Sequence, residues 1–534
     1  MHPSTSFAAF KPCHTDGHDC MMFDVPLNHN KPDGYRAYVP LLRFKSTAAP
    51  TKGMVLLNPG GPGKSGVDWF TGMGKEMQRR VGENYDIVAF DPRGIGYSIP
   101  SANCNQTDPN AVGRRYELPH GPLVPFDNRY IRESTALIGE VCQSVIGGED
   151  QAGQHMSTAT VAHDLHSILE AYAASPEAAN VENAALLNYI GYSYGTVIGQ
   201  NFASMYPDRV GRMVLDGVVD IEDSAVGLPL RALVSTDDAF ATFFIYCHLA
   251  GPDKCAFYTD SNPGDIFLRF EWILSRLDTN IANALDWANA TEIENDLYML
   301  KRSIFDALYS PKALFPGLAT LLLDMETHLK AHNLSAVAQD LSGAGRPPRV
   351  IQGDDSWMSG VTCTDNSNTA YNVTDQEFIQ YMNLLMQQSY IGGEVYVANW
   401  YQCVGWSIKA VETFTGAWGG KTATPILFIG NSWDVITPLM NALKGTTLFS
   451  KSEVLIVNEP GHCTANKCSE AKTRAYFQEG TMPGADNFCV GLEEGNGPFD
   501  TTLTMRMEDN GAYRSILGRL RALRLKTYRA LDFS

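Results

Sequence analysis

Five residues, Gly191-Tyr192-Ser193-Tyr194-Gly195, constrain this chain more than any other feature. They close an apolar, strand-like run, Leu187-Asn188-Tyr189-Ile190, and open a helix-like one from Thr196 to Tyr206. A G-x-S-x-G turn between strand and helix forces its serine into a strained conformation, and side chains in place of the glycines would strike neighbouring backbone. Such a turn is a nucleophile elbow, which holds the Ser193 hydroxyl out at a sheet's carboxyl edge over a helix N-terminus.

A serine hydroxyl attacks only when a base takes its proton and a third group orients that base. Downstream, the buried-strand pattern Pro425-Ile426-Leu427-Phe428-Ile429-Gly430 leads into a polar loop carrying Asp434. The next apolar run, Val454-Leu455-Ile456-Val457, leads to Asn458-Glu459-Pro460-Gly461-His462. The order Ser193, Asp434, His462 is that of α/β-hydrolases and not of the chymotrypsin or subtilisin classes. Asp216, in Met213-Val214-Leu215-Asp216-Gly217, is a rival orienting acid; Asp434 is preferred because the acid of this fold follows the penultimate strand.

The early run Gly53-Met54-Val55-Leu56-Leu57 enters Asn58-Pro59-Gly60-Gly61-Pro62-Gly63-Lys64-Ser65-Gly66, where glycines let backbone N–H groups approach a substrate. One oxyanion donor is expected from Tyr194, directly after the nucleophile, and a second from Gly61, with Gly60 as the alternate. The loop lacks the G-x-x-x-x-G-K-[ST] spacing of a phosphate cradle. The expected chemistry is acyl transfer with no metal or organic cofactor. His14, His18 and Cys20 do not have the spacing of a metal site.

Asn58 through Gly63, then Phe90-Asp91-Pro92-Arg93-Gly94-Ile95-Gly96-Tyr97-Ser98, the elbow, Asp434 through Pro438 and Gly461-His462 together resemble the prolyl iminopeptidase and tripeptidyl aminopeptidase family of α/β-hydrolases. The likeness runs from about residue 30 to 490 and is greatest to the tripeptidyl branch, whose C-terminal segment Thr362-Cys363-Thr364-Asp365 and Cys403-Val404-Gly405-Trp406 resemble. It implies an aminopeptidase acting on free N-termini. The alternative is an esterase, lactonase or acyltransferase for a small metabolite. Prolyl iminopeptidases carry histidine where this chain has Pro59, which argues against strict proline specificity. An exopeptidase must bind the substrate ammonium, and Asp237, Asp238, Glu292 and Glu294 are the acids available for it.

The fold expected is α/β, an α/β-hydrolase with a mostly parallel eight-stranded sheet flanked by helices. The 534 residues exceed a usual single domain. Strand-like runs stop near Leu215 and resume near Pro425, and between them Ala232 to Tyr246, Ile266 to Leu277, Glu292 to Leu308 and Pro316 to His332 have helical apolar spacing. Residues 1–220 and 401–534 are therefore read as two parts of a hydrolase core, and 221–400 as a helical cap. The tail from Tyr513 to Lys526 reads as a basic amphipathic helix packed by its leucines on the core. Arg93 reads as an ion-paired structural residue.

Eleven cysteines and the sequons at Asn105, Asn289, Asn333 and Asn372 point to secretion or another oxidising compartment. Cys13 with Cys20, Cys247 with Cys255 and Cys463 with Cys468 suggest short disulfide loops, Cys104 with Cys142 and Cys363 with Cys403 longer ones, and Cys489 the odd thiol. The segment Met1 to Phe7 has no basic start followed by an apolar stretch, so a signal peptide has been removed or never existed. No run is long enough to span a bilayer. The net charge of −18 disfavours nucleic acid and anionic membrane as partners and leaves a peptide or small-molecule acyl substrate.

Overall fold

The computed structural model describes residues 3–13, 17–104, 128–225, 227, 229–259, 261–277, 290–344, 353–366, 373–401, 403, 405–490, 497–500 and 510–531. Ten strands form one sheet: β1 (Lys11–Pro12), β2 (His18–Pro26), β3 (Arg36–Phe44), β4 (Gly53–Asn58), β5 (Tyr85–Phe90), β6 (Leu187–Tyr192), β7 (Val210–Asp216), β8 (Leu427–Trp433), β9 (Glu453–Pro460) and β10 (Phe488–Val490). Their spatial order is β1-β2-β3-β5-β4-β6-β7-β8-β9-β10. Along that order, pairing is antiparallel from β1 through β2 and β3 to β5, and parallel from β5 through β4 to β10. The sheet thus exceeds the eight strands expected by two short pieces, β1 and β10, one at each edge.

The central strands are near-continuous apolar runs because both sheet faces are covered. Every residue of β4 is buried. One face packs around Leu56, Leu165, Ile198 and Phe202, and the other around Val55, Ile87, Ile190 and Leu455. The covering helices are α1 (Gly66–Phe70), α2 (Gly74–Val81), α3 (Asn128–Ile146), α4 (Thr158–Ala173) and α5 (Gly195–Met205).

Between β7 and β8 the chain forms α6 (Ile221–Ala225), α7 (Thr236–Ala250), α8 (Pro263–Leu277), α9 (Ala290–Ala307), α10 (Pro311–Lys330), α11 (Leu334–Ala344), α12 (Gly353–Asp365), α13 (Asp375–Gln388) and α14 (Gly392–Tyr401). Most of these helices share a core of their own, in which Phe240, Phe244, Phe267 and Phe270 pack ring on ring. After β8 come α15 (Leu439–Leu448), α16 (Lys467–Glu479) and α17 (Asn510–Leu531). The basic tail helix α17 joins the inserted helices and not the sheet. Ile516, Leu520 and Leu523 enter their apolar core, Arg519 pairs with Glu271 at 2.6 Å, and Arg524 Nε reaches Asp237 Oδ2 at 3.4 Å.

Disulfides join Cys13 to Cys20, Cys104 to Cys142, Cys247 to Cys255 and Cys363 to Cys403. The expected Cys463–Cys468 bridge does not form, and Cys489 is not the odd thiol: Cys468 pairs with Cys489, leaving Cys463 free. Strand β10 lies beside β9 and puts Cys489 against α16, while the Cys463 thiol turns inward to the Asp216 carbonyl at 3.5 Å. No described helix is long and apolar enough to cross a membrane. Asn333 is exposed, and the sequons at Asn105, Asn289 and Asn372 lie outside the described residues.

Candidate active site

The elbow forms where β6 meets α5, and Ser193 has φ 54° in the left-handed region. Its glycines are required by close approach: a Cβ on Gly191 would stand 2.3 Å from the Gly195 carbonyl oxygen, and one on Gly195 would stand 2.7 Å from the Asn58 carbonyl oxygen. The turn is tied to the next strand by the Ser193 N–H, which donates to the Asp216 carbonyl at 2.9 Å. Behind it, the Tyr194 hydroxyl meets Thr158 Oγ1 at 2.5 Å, and Asp365 of α12 accepts the Thr158 N–H at 2.6 Å.

Asp434 follows β8 and His462 follows β9, so both stand at the same carboxyl edge as Ser193. His462 Nδ1 lies 2.9 Å from Asp434 Oδ2 and 3.1 Å from Oδ1. The carboxylate is buried and held by three further donors: the N–H groups of Ile436 and Thr437, each at 2.9 Å on Oδ1, and the Thr437 hydroxyl at 2.8 Å on Oδ2. It is Asp434, and not Asp216, that meets the imidazole nitrogen. Around His462 Nε2, the Cys463 sulfur stands 3.7 Å away. Burial, then the Asp216 and Asp434 charges, push the Cys463 thiol well above its ordinary range, so it stays protonated beside the imidazole.

Asp216 lines a cavity with Arg80, Tyr192, Glu470 and Thr473, and its Oδ1 has no hydrogen-bond partner among the described residues. Burial pushes this acid up to about 7, opposed by the charges of His462 and Arg80.

The early loop faces the elbow. A Cβ on Gly60, at φ 90°, would lie 2.4 Å from the Tyr192 carbonyl oxygen and 2.9 Å from both Ser193 Cβ and the Tyr194 nitrogen. Gly60 already donates its N–H to Asn58 Oδ1 at 2.9 Å. The N–H groups of Gly61 and Tyr194 have no such bond among the described residues, which favours Gly61 over Gly60 as an oxyanion donor. Buried Asp91 fastens this loop: it accepts from Ser65 Oγ at 2.7 Å and the Val67 N–H at 3.0 Å on one oxygen, and from the Tyr97 N–H at 2.9 Å on the other. The Asp91-Pro92-Arg93-Gly94 stretch is therefore scaffold. Arg93 pairs with buried Asp164, its Nε 2.7 Å from Oδ2, and donates to the Leu27 carbonyl at 2.5 Å.

The acids considered for a substrate ammonium have other partners. Asp237 is buried and accepts from Ser389 Oγ at 2.6 Å and from the N–H groups of Tyr390 at 3.1 Å and Ile391 at 3.3 Å. Asp238 accepts from the Tyr513 hydroxyl at 3.3 Å. The side chains of Glu292 and Glu294 lie outside the described residues, as does His14. His18 packs between the rings of Phe44 and Phe70, and Cys20 is in a disulfide.

Two residues escaped sequence reasoning. Thr437 supports the acid from three positions away, a spacing visible in Asp434-Val435-Ile436-Thr437. Tyr309, from the loop between α9 and α10, touches His462, and no local pattern announces it.

A family model described as "alpha/beta hydrolase fold" matches residues 53–238, and one described as "TAP-like protein" matches residues 389–489. The chain is 35% identical over 233 residues to serine protease Hip1 of Mycobacterium tuberculosis, covering 43% of this chain and 41% of that protein. It therefore aligns with less than half of that relative's length. It is 23% identical over 491 residues to tripeptidyl aminopeptidase of Streptomyces lividans, covering 88% of this chain and 83% of that one. Carboxylesterase B of Mycobacterium tuberculosis is 25% identical over 486 residues, covering 88% and 86%. With the elbow, the parallel sheet and the inserted helices, these matches make the chain an α/β-hydrolase, similar over residues 389–489 to TAP-like proteins and over most of its length to tripeptidyl aminopeptidase.

Proposed function

We propose that this α/β-fold serine hydrolase removes residues or short peptides from free peptide N-termini through an acyl enzyme. Ser193 Oγ attacks the scissile carbonyl carbon as its proton passes to His462 Nε2, forming the C–O bond. Asp434 holds the imidazole in the tautomer with its proton on Nδ1, and the Tyr194 and Gly61 N–H groups receive the oxyanion. The C–N bond then breaks as His462 returns the proton to the leaving amine. Water, deprotonated by His462, releases the acyl group and restores Ser193. The observation carrying this reading is the buried Asp434 carboxylate on His462 Nδ1 at 2.9 Å, at the same sheet edge as a serine at φ 54°.

Peptide substrates are favoured by the relatives named serine protease and tripeptidyl aminopeptidase. The relative named carboxylesterase B supports an ester or lactone as the second reading. Five disulfides support an oxidising, extracytoplasmic setting, with secretion as the proposed route. A peptide-library digest read by mass spectrometry, run on free and N-acetylated peptides, tests the reading. Release of N-terminal fragments from free peptides alone is expected. Equal cleavage of acetylated peptides, or turnover of small esters without any peptide cleavage, rejects it. Ser193→Ala is expected to lose nearly all turnover while remaining folded, and wild-type rates in that variant reject the nucleophile.

A further inference from the structure

The imidazole of His462 is held from two sides. From the sheet side, Asp434 and Thr437 meet Nδ1 at 2.9 Å and 3.1 Å. Bonds to one ring nitrogen leave the ring free to swing about that anchor. From the other side comes Tyr309, which belongs to the inserted helices. Its carbonyl accepts the His462 N–H at 3.1 Å. Its ring meets the imidazole edge to face, with centroids 5.3 Å apart and planes at 79°. The next turn leaves no slack: a Cβ on Gly461 would stand 2.9 Å from Pro311 Cδ and 3.4 Å from the Tyr309 carbonyl oxygen. One short segment, Tyr309 to Pro311, therefore presses on the backbone of Gly461 and on both the backbone and the ring of His462.

We propose that Tyr309 is a positioning residue for His462, so that the inserted helices orient the general base as well as cover the site. The proposal rests on His462 being the base. Asp434 sets which nitrogen carries the proton, and Tyr309 sets where the other nitrogen points. Because proton transfer from Ser193 depends on that direction, a displaced ring lowers turnover even when substrate still binds. Anything that moves the 309–311 segment then moves the base with it. A substrate seated among these helices and the catalytic dyad are thereby mechanically linked.

The test uses full-length protein and p-nitrophenyl butyrate, a small acyl probe with little need of an extended pocket. Tyr309→Phe keeps the ring and is expected to stay within about twofold of wild-type kcat. Tyr309→Ala is expected to lower kcat by about 10- to 100-fold, with KM changed less than about threefold, as misplacement of a reacting group does. Labelling of Ser193 by a fluorophosphonate should slow in parallel. Tyr309→Leu keeps apolar bulk without the ring face, is expected to fall between the two, and serves if the alanine variant does not fold. Unchanged kcat in the alanine or leucine variant, a loss confined to KM, or equal loss in the phenylalanine variant overturns the proposal. His462→Ala is assayed alongside: wild-type activity there removes the base assignment itself, whereas an inactive His462→Ala beside a fully active Tyr309→Ala removes only the role of Tyr309.

Discussion

His462 Nδ1 stands 2.9 Å from Asp434 Oδ2 while the same carboxylate is held by two backbone N–H groups and one hydroxyl. A carboxylate so saturated cannot rotate away, and its free energy is spent on orientation. Asp434→Asn can turn an amide NH2 toward Nδ1, which favours the wrong imidazole tautomer. Its kcat should fall by roughly 10³- to 10⁴-fold, the scale seen when the acid of a serine triad is replaced. Steady-state kinetics check this, and a fall below about tenfold would show that Asp434 does not serve the base.

Gly60 is packed against the elbow, and its φ of 90° also disfavours a side chain. Gly60→Ala must separate the early loop from Ser193, and loss of oxyanion geometry should cost about 10²-fold or more in kcat. Gly72→Ala is the control. Its φ of 83° imposes similar backbone strain, but a Cβ there meets nothing within 4 Å. That variant should lose about 1 kcal/mol of stability and little activity.

Two buried acids make stability depend on pH. Burial pushes Asp216 up to about 7 and Asp365 up to about 6, both from 3.8, the second opposed by hydrogen bonds from Thr158. Between the unfolded and folded values, the folded state binds more protons than the unfolded one. Stability contributed by the neutral acids is therefore full below about pH 4 and is lost as pH rises through 6 to 7. Asp216→Asn should flatten that fall, seen as a smaller drop in Tm from pH 4 to 8. An unchanged slope would mean that Asp216 does not titrate in this window.

The Cys468–Cys489 bridge spans 21 residues and pins the last strand to α16. Replacing both with serine should lower stability by about 2–4 kcal/mol, read by chemical denaturation. Unreduced, denatured protein should release one titratable thiol per chain, and none after Cys463→Ala, because the other ten of its eleven cysteines are paired. Two or more thiols would contradict this pairing.

Much of the candidate site was legible in the chain because its chemistry is local. A G-x-S-x-G turn needs its own five residues, and the loops bearing Asp434 and His462 each follow a recognisable apolar run. Parallel strands put such loops at one edge, so three distant segments could be expected to meet there. The glycines of the early loop were legible for the same reason, although only the Asn58 Oδ1 bond to Gly60 separated Gly60 from Gly61.

Relations that depend on partners far along the chain were not legible. Cys468 chose Cys489 over its near neighbour Cys463 because a three-residue edge strand, too short to announce itself, lies beside β9. Asp237 looked available to a substrate amine, yet folding surrounds it with Ser389, Tyr390 and Ile391. Tyr309 was one aromatic among many in helical spacing. By itself the chain determined which residue types stand at the strand ends, since backbone periodicity and turn sterics act over a few residues. Tertiary packing alone decided which of them touch, because contact between the inserted helices and the sheet edge depends on how two separate apolar cores settle against each other.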